Sequence, residues 1–262
     1  MRRTFFAAAA AAAFAALSSP AVITADTVPV RYRDATAHAL LTLRSMDGRV
    51  LANGEQTQAA HGNTVTKRLT FHFTDGSIDD ETTEFADAGT LRLIHYHHLQ
   101  KGAAFPHPLD LTIDAETGHI VVRDLSNPRG AHVDETTLSL PEDLSNGLVT
   151  NIVRNVSPTA LPISVSYLAA TPKLRLVRLV ITDGGLDSLS TGGETHRTTH
   201  YVVDVRLGGL EGIISSAVRK SLPRSHIWIS AGTPAFVRAE TALGVDGPMW
   251  QIDLTPPFQK GS

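Results

Sequence analysis

The stretch TVTKRLTFHF (Thr64–Phe73) sets the fold class. Leu69, Phe71 and Phe73 fall on one face of an extended chain, and Arg68, Thr70, His72 and Thr74 fall on the other. Apolar and polar residues alternating with period 2 describe a strand with one face in a core and one in water. Residues 74–77 (TDGS) then turn the chain. The same grammar recurs downstream. PLDLTID, AETG and HIVVRD (108–124) read as a hairpin with Gly118 in the turn, and HVDETTLSL (132–140) as a further strand. ISVSYLA, KLRLVRLVIT, THRTTHYVVDVRL, HIWIS, AFVRAETA and MWQIDL continue it to residue 254. The glycine-rich DGGLDSLSTGG (183–193) reads as a long exposed connection.

Two segments change period. Pro141 suits a first helical position, and Glu142 and Asp143 put negative charge at the positive end of the helix dipole. Leu144, Leu148 and Ile152 recur every four residues beside Val149, Val153 and Val156, and Pro158 and Pro162 end the run. This is an amphipathic helix whose stripe docks on one face of the sheet. In residues 209–223, Leu210, Ile214, Val218 and Leu222 repeat the spacing, with Arg219 and Lys220 near the C-terminal end. The chain therefore reads as mainly β, with one or two short helices packed on a sheet.

The ends locate the protein. Arg2 and Arg3, the apolar run 5–17 and the small residues up to Ala25 form an export signal. Ile23 and Ala25 suit the positions a signal peptidase reads, and Ala21 is the second choice of cleavage site. The arginine pair and the alanine-rich run resemble a twin-arginine signal, with Met1 directly before the pair. The expected organisation is a signal peptide over 1–25, a flexible leader over 26–35, a single β-rich domain over 36–256 and a tail over 257–262. The expected location is the periplasm or the outside. The apolar run is shorter than the roughly 20 residues of a membrane-spanning helix.

Among the 262 residues there is no cysteine, which removes disulfides, thiolate metal sites, a thiol nucleophile and a lipidated cysteine. Loss of Arg2 and Arg3 moves the net charge from −3 to −5. A mildly acidic chain with scattered basic residues has no footprint for nucleic acid. The patterns H-E-x-x-H, G-x-S-x-G, S-x-x-K, the P-loop and G-x-G-x-x-G are all missing from the sequence.

Residues 226–243 (HIWISAGTPAFVRAETAL) run strand, proline turn, strand, with Trp228, Pro234, Arg238 and Glu240 as landmarks. This stretch resembles the strand pair of the periplasmic lipoprotein-carrier (LolA-like) superfamily. Residues 68–85 (RLTFHFTDGSIDDETTEF) resemble uncharacterised exported bacterial proteins. The resemblance implies a curved antiparallel sheet, an open half-barrel or barrel-like, with helices against its mouth or concave face. It carries over no functional residue.

Residues 92–102 (RLIHYHHLQKG) place three histidines, His95, His97 and His98, within four positions. In a regular strand, His95 and His97 share a face with Leu91, Leu93 and Leu99, and His98 lies opposite with Arg92, Ile94 and Tyr96. Two histidines are too few for zinc, which needs three or four ligands. His72, His107, Asp79, Asp80 and Glu81 are the nearest supplements. Residues 75–85 are acidic but lack the spacing of a calcium loop, and read as a solvated hairpin.

The preferred expectation is a non-catalytic cell-envelope binding or carrier protein for an apolar or lipid-like ligand, with no cofactor. The ligand would lie between the sheet and a lid carrying Leu144, Leu148 and Ile152. One alternative is a metal-dependent hydrolase using His95 and His97 with His72. The other is a structural or partner-binding protein that meets an unknown chain through a sheet edge or the 183–193 stretch.

Overall fold

A computed structural model describes residues 26–127, 130–170, 173–191, 193–207, 223–244 and 247–255. The strands before the helix are β1 (Ala37–Ser45), β2 (Val50–His61), β3 (Thr64–Phe73), β4 (Ile78–Ala88), β5 (Thr90–Lys101), β6 (Leu109–Asp114), β7 (His119–Asp124) and β8 (His132–Thr137). Helix α1 (Val149–Asn155) and a 3-10 turn (Pro158–Ala160) follow. The remaining strands are β9 (Ile163–Ala169), β10 (Arg175–Thr191), β11 (Glu194–Leu207), β12 (Ser225–Ser230), β13 (Phe236–Thr241) and β14 (Trp250–Thr255). All belong to one antiparallel sheet, ordered β8-β7-β6-β5-β4-β3-β2-β1-β14-β13-β12-β11-β10-β9.

This is an up-and-down meander whose two ends are zipped together. β1 pairs with β14 from Leu40↔Thr255 to Ser45↔Trp250. The two sheet edges therefore fall in the middle of the chain, at β8 and β9, with residues 138–162 between them. A twisted sheet of this many strands curls. Here it curls around α1, whose neighbourhood meets β3 and β4 on one side and β9 and β12 on the other. The segment before and through α1 is a plug on the concave face.

The plug also closes one edge. Asp26 donates its N–H to the Ser164 carbonyl at 2.9 Å and accepts from Ser164 N–H at 3.0 Å. Asp143 accepts from Ser166 N–H at 2.9 Å, and Ser145 N–H donates to Ser166 O at 2.8 Å. The Asn146 side chain completes the set. Its Nδ2 donates to Leu168 O at 3.0 Å and its Oδ1 accepts from Leu168 N–H at 2.9 Å. One amide side chain thus copies the two bonds a neighbouring strand residue would make.

These bonds explain why the helix is shorter than its stripe. The sequence expectation of a helix starting at Pro141 is corrected to one starting at Val149. Residues 143–146 leave the helix to pair with β9, including a parallel bridge from Leu144 to Ser166. Ser145, Asn146 and Gly147 are weak helix formers, so little is lost. Gly147 has φ +70°, and a Cβ there would lie 2.0 Å from Thr83 Oγ1. A glycine is what lets the plug reach the β4 wall.

Residues 183–191, expected as a connection, are instead the second half of β10 and pair with β11 down to Thr191↔Glu194. The register shifts between Asp183 and Gly185. A Cβ on Gly184 would sit 2.4 Å from His200 Nδ1, so the glycine yields space to an imidazole rather than to a loop. Residues 26–35, expected as a flexible leader, are tied to the sheet and the plug: Val28 is buried, Pro29 bridges to Thr90, and Asn155 Oδ1 accepts from Arg31 and Tyr32 N–H at 2.7 and 2.8 Å. The second expected helix, residues 209–223, lies outside the described residues except for Pro223.

Asn146→Ala removes both side-chain bonds and leaves the Leu168 N–H and C=O without partners. Asn146 is fully buried. The expected cost is about 2–4 kcal/mol of unfolding free energy, read from urea titrations. A loss below about 0.5 kcal/mol would mean that the β9 edge is held without it.

Candidate functional site

The histidine cluster is sorted by a β-bulge. Glu84 on β4 stands opposite His95 and Phe85 stands opposite Leu93, so Ile94 is passed over. One extra residue reverses which face follows. Leu91 and Leu93 point inward, and beyond the bulge Tyr96, His98 and Gln100 point inward instead. The regular-strand expectation is therefore corrected: His95 and His97 keep a common face, but not the face of Leu91 and Leu93.

His95 and His97 lie on the outer face, both exposed. His97 Nε2 pairs with Asp110 Oδ1 at 3.0 Å. His72 is exposed too, opposite Ile78, whereas His97 is opposite Thr82. That is four strand positions, roughly 13 Å along the sheet. Asp80 is also on the outer face, held by Arg68 through two bonds of 2.9 and 2.6 Å. These bonds lower the Asp80 carboxyl from its ordinary range. Among the described residues, no three histidine, aspartate or glutamate side chains are grouped to hold a metal ion.

The inner face holds a different constellation. His98 Nε2 meets Asp79 Oδ2 at 3.1 Å, and Gln100 Nε2 donates to the same oxygen at 2.7 Å and to Leu243 O at 2.7 Å. One position along, Tyr96 donates its hydroxyl to Glu81 Oε2 at 3.0 Å. Burial alone would push the His98 imidazole down, but Asp79, with Glu81 and Asp80 behind it, prevails and its pKa is raised. Burial and the Glu81 carboxylate push the Tyr96 phenol well above its usual value, so it stays a proton donor. Tyr167 on β9 is likewise raised, by burial first and then by the Glu81 and Asp79 carboxylates.

Lys67 completes the inner wall. It shares the face of Leu69, Phe71 and Phe73 and is buried. Its Nζ donates to Gly147 O at 2.6 Å and to Asn151 Oδ1 at 2.8 Å. Burial lowers its pKa, against the pull of Glu81 and Asp34. Asn151 Nδ2 donates to Asp34 Oδ2 at 2.8 Å, and Arg154 pairs with the other oxygen of Asp34. Asp34 N–H donates to Asp87 Oδ2 at 2.7 Å, and burial raises the Asp87 carboxyl. The plug is thus anchored by ions and amides, while its apolar stripe fills the core.

Leu144, Leu148 and Ile152 are 2%, 1% and 3% exposed. Side chains therefore pack closely around all three. At one end Phe73, Phe105 and Trp250 form an aromatic floor with ring centroids 5.3–6.1 Å apart. A depression of about 280 Å³, counting its open mouth, sits there with Gln100, Phe105, His107 and Trp250 in its wall. Trp228, a landmark of the lipoprotein-carrier resemblance, is stacked by His200 at 4.5 Å and 7° on the sheet.

Chemically, the inner cluster satisfies itself. Asp79 spends one oxygen on His98 and Gln100, and Glu81 accepts the Tyr96 hydroxyl hydrogen bond. Such a network orients side chains and ties β4, β5 and the residue-243 turn together. No motif in the sequence marks Lys67, Asn151 and Asp34 as a group. The parity of Lys67 with Leu69 was a usable signal. That of Asp79 and Glu81 with Phe85 was another.

No family model and no curated protein matches this chain. Among solved structures, the crystal structure of a beta-barrel-like protein of domain of unknown function DUF1849 from Brucella abortus is similar, with a TM-score of 0.46 at 9% identity. The match covers 87% of this chain and 100% of that one.

Because the folded His98 pKa is raised above 6.5, its stabilisation is complete below that pH and is lost as pH rises through the folded value. The stability gap between wild type and His98→Gln is therefore expected to be larger near about pH 6 than near about pH 9. Urea titrations at both values read it. A gap that is constant or grows with pH would mean that the Asp79–His98 pair is not ionic.

Proposed function

We propose that this chain is an exported, non-catalytic binding protein of the cell envelope, and that it engages another polypeptide through its outer surface. One observation carries the second half of this reading. The concave face, where a curved sheet would hold a small ligand, is filled by the plug. Leu144, Leu148, Ile152 and Val153 are each no more than 3% exposed. Binding energy must then come from surface that is still in contact with water. Export rests on the signal read in residues 1–25.

A carrier of an apolar or lipid-like ligand is the second reading, supported by the resemblance of residues 226–243 and by the apolar stripe on the concave face. Its ligand would take the place of the plug. Removing five buried aliphatic side chains, Leu144, Leu148, Ile152, Val153 and Val156, costs roughly 10 kcal/mol at about 2 kcal/mol each. An acyl chain returns about 0.8 kcal/mol per methylene, so on the order of a dozen methylenes would balance it.

Native mass spectrometry of protein taken from its own envelope separates the two, together with crosslinking in intact cells. The expected outcome is protein free of lipid mass, with a discrete crosslinked species containing a second polypeptide. A stoichiometric acyl-chain ligand on the purified protein would overturn the surface reading in favour of the carrier.

A further inference from the structure

The two sheet edges are treated differently. β9 has its outward main-chain groups bonded by Asp26, Asp143, Ser145 and Asn146. β8, the other edge, has all six residues exposed. Leu138 N–H donates to Gly118 O at 2.9 Å, which places the even-numbered residues of β8 in the bonded pairs with β7. The N–H and C=O groups of Val133, Glu135 and Thr137 then point outward. Among the described residues they have no protein partner. The strand lacks the proline, lysine or bulge that commonly blunts an edge, and its register with β7 is unbroken.

Its side chains restrict what it accepts. Opposite Ile120 and Val122, the even residues lean to the concave side, so Asp134 flanks the edge there and Glu135 flanks it on the convex side. Val133 is 48% exposed on the Glu135 side. Self-pairing is opposed by charge. The two antiparallel registers that overlap most place Asp134 opposite its own copy, or Glu135 opposite its own copy, and like charges directly opposed destabilise a ladder. Each acid already faces a histidine, Glu135 with His119 at 2.7 Å and Asp134 with His132 at 3.2 Å, but both remain exposed, and a strand with two consecutive basic residues meets them, one on each face. An apolar residue beside them meets Val133.

We propose that β8 is a strand-addition site for an extended segment of another polypeptide, carrying two adjacent basic residues followed by an apolar one. The added segment becomes a fifteenth strand, with main-chain bonds supplying affinity and the acids supplying selection. This rests on the reading that the protein binds a polypeptide through its surface, and it names where and by what chemistry.

The test titrates the full chain against labelled ten-residue peptides of alternating valine and threonine with a central Lys-Arg pair, read by fluorescence anisotropy. An acidic peptide, with Glu-Asp at the centre, is expected to bind at least about tenfold more weakly. The basic peptide N-methylated on alternate amides, which leaves the protein untouched, is expected to lose at least about tenfold. Val133→Pro removes an outward N–H and spares the β7 bonds, and is expected to weaken binding similarly. Equal binding of basic and acidic peptides, or indifference to N-methylation, overturns the proposal. So does a dimer in sedimentation that Val133→Pro dissociates, because the occupant is then a second copy. If the envelope crosslinks persist in Val133→Pro, this edge is not the site while surface binding stands. If the wild type carries lipid and no crosslink, the underlying reading itself falls.

Discussion

A main-chain N–H or C=O that leaves water must find a partner, and on β9 that requirement organises the whole molecule. A fourteen-stranded sheet left open has two edges. Here one of them, β9, is buried along most of its length. Among the described residues, no strand pairs with its outer side. The chain supplies Asp26 from its N-terminal side and Asp143 to Asn146 from the segment before α1. Once residues 143–146 are bound there, Leu144 and Leu148 have nowhere to go but the concave face. The plug position follows from edge satisfaction as much as from hydrophobic burial.

The contacts that hold the plug are more polar than its location suggests. Lys67, Asn151, Asp34 and Arg154 form a connected set beneath the sheet's mouth. Ion pairs removed from water return little net stability, because desolvation offsets the attraction. Their geometry nonetheless admits few alternatives: Lys67 must meet both a carbonyl and an amide oxygen, and Asn151 must turn its oxygen to Lys67 and its nitrogen to Asp34. A purely apolar plug could slide along an apolar sheet. This one is pinned where Lys67 reaches Gly147 O and Asn151 Oδ1 while Asn151 Nδ2 reaches Asp34. The Asp79–His98–Gln100 set does the same for β5 and the residue-243 turn.

Much of the architecture was legible. The alternation in β3 assigned Leu69, Phe71 and Phe73 to one face, and Phe71 and Phe73 are buried there. The four-residue spacing of Leu144, Leu148 and Ile152 marked an apolar stripe, and all three are in the core. Less legible was the extent of the helix. Asn146 reads locally as a poor helix former, and only the presence of the β9 edge turns it into a substitute for a strand. Residues 183–191 misled for a related reason. Two adjacent glycines suggest a turn, whereas Gly184 is there to make room for His200, sixteen positions later in the chain.

The histidine cluster marks the boundary between the two kinds of information. Side-chain alternation is a property of the extended backbone itself, so the sequence alone determined that His95 and His97 share a face and that His98 does not. Which face is which depends on the bulge at Ile94, and a bulge is a relation between two strands, not a property of one. The register of β4 against β5 therefore decided that His95 and His97 meet water while His98 meets Asp79. Composition and period determined that this chain is a sheet with an apolar helix on it. Which polar groups end up inside, and which edge stays open, was decided by tertiary pairing, because only pairing says which main-chain bonds are already made.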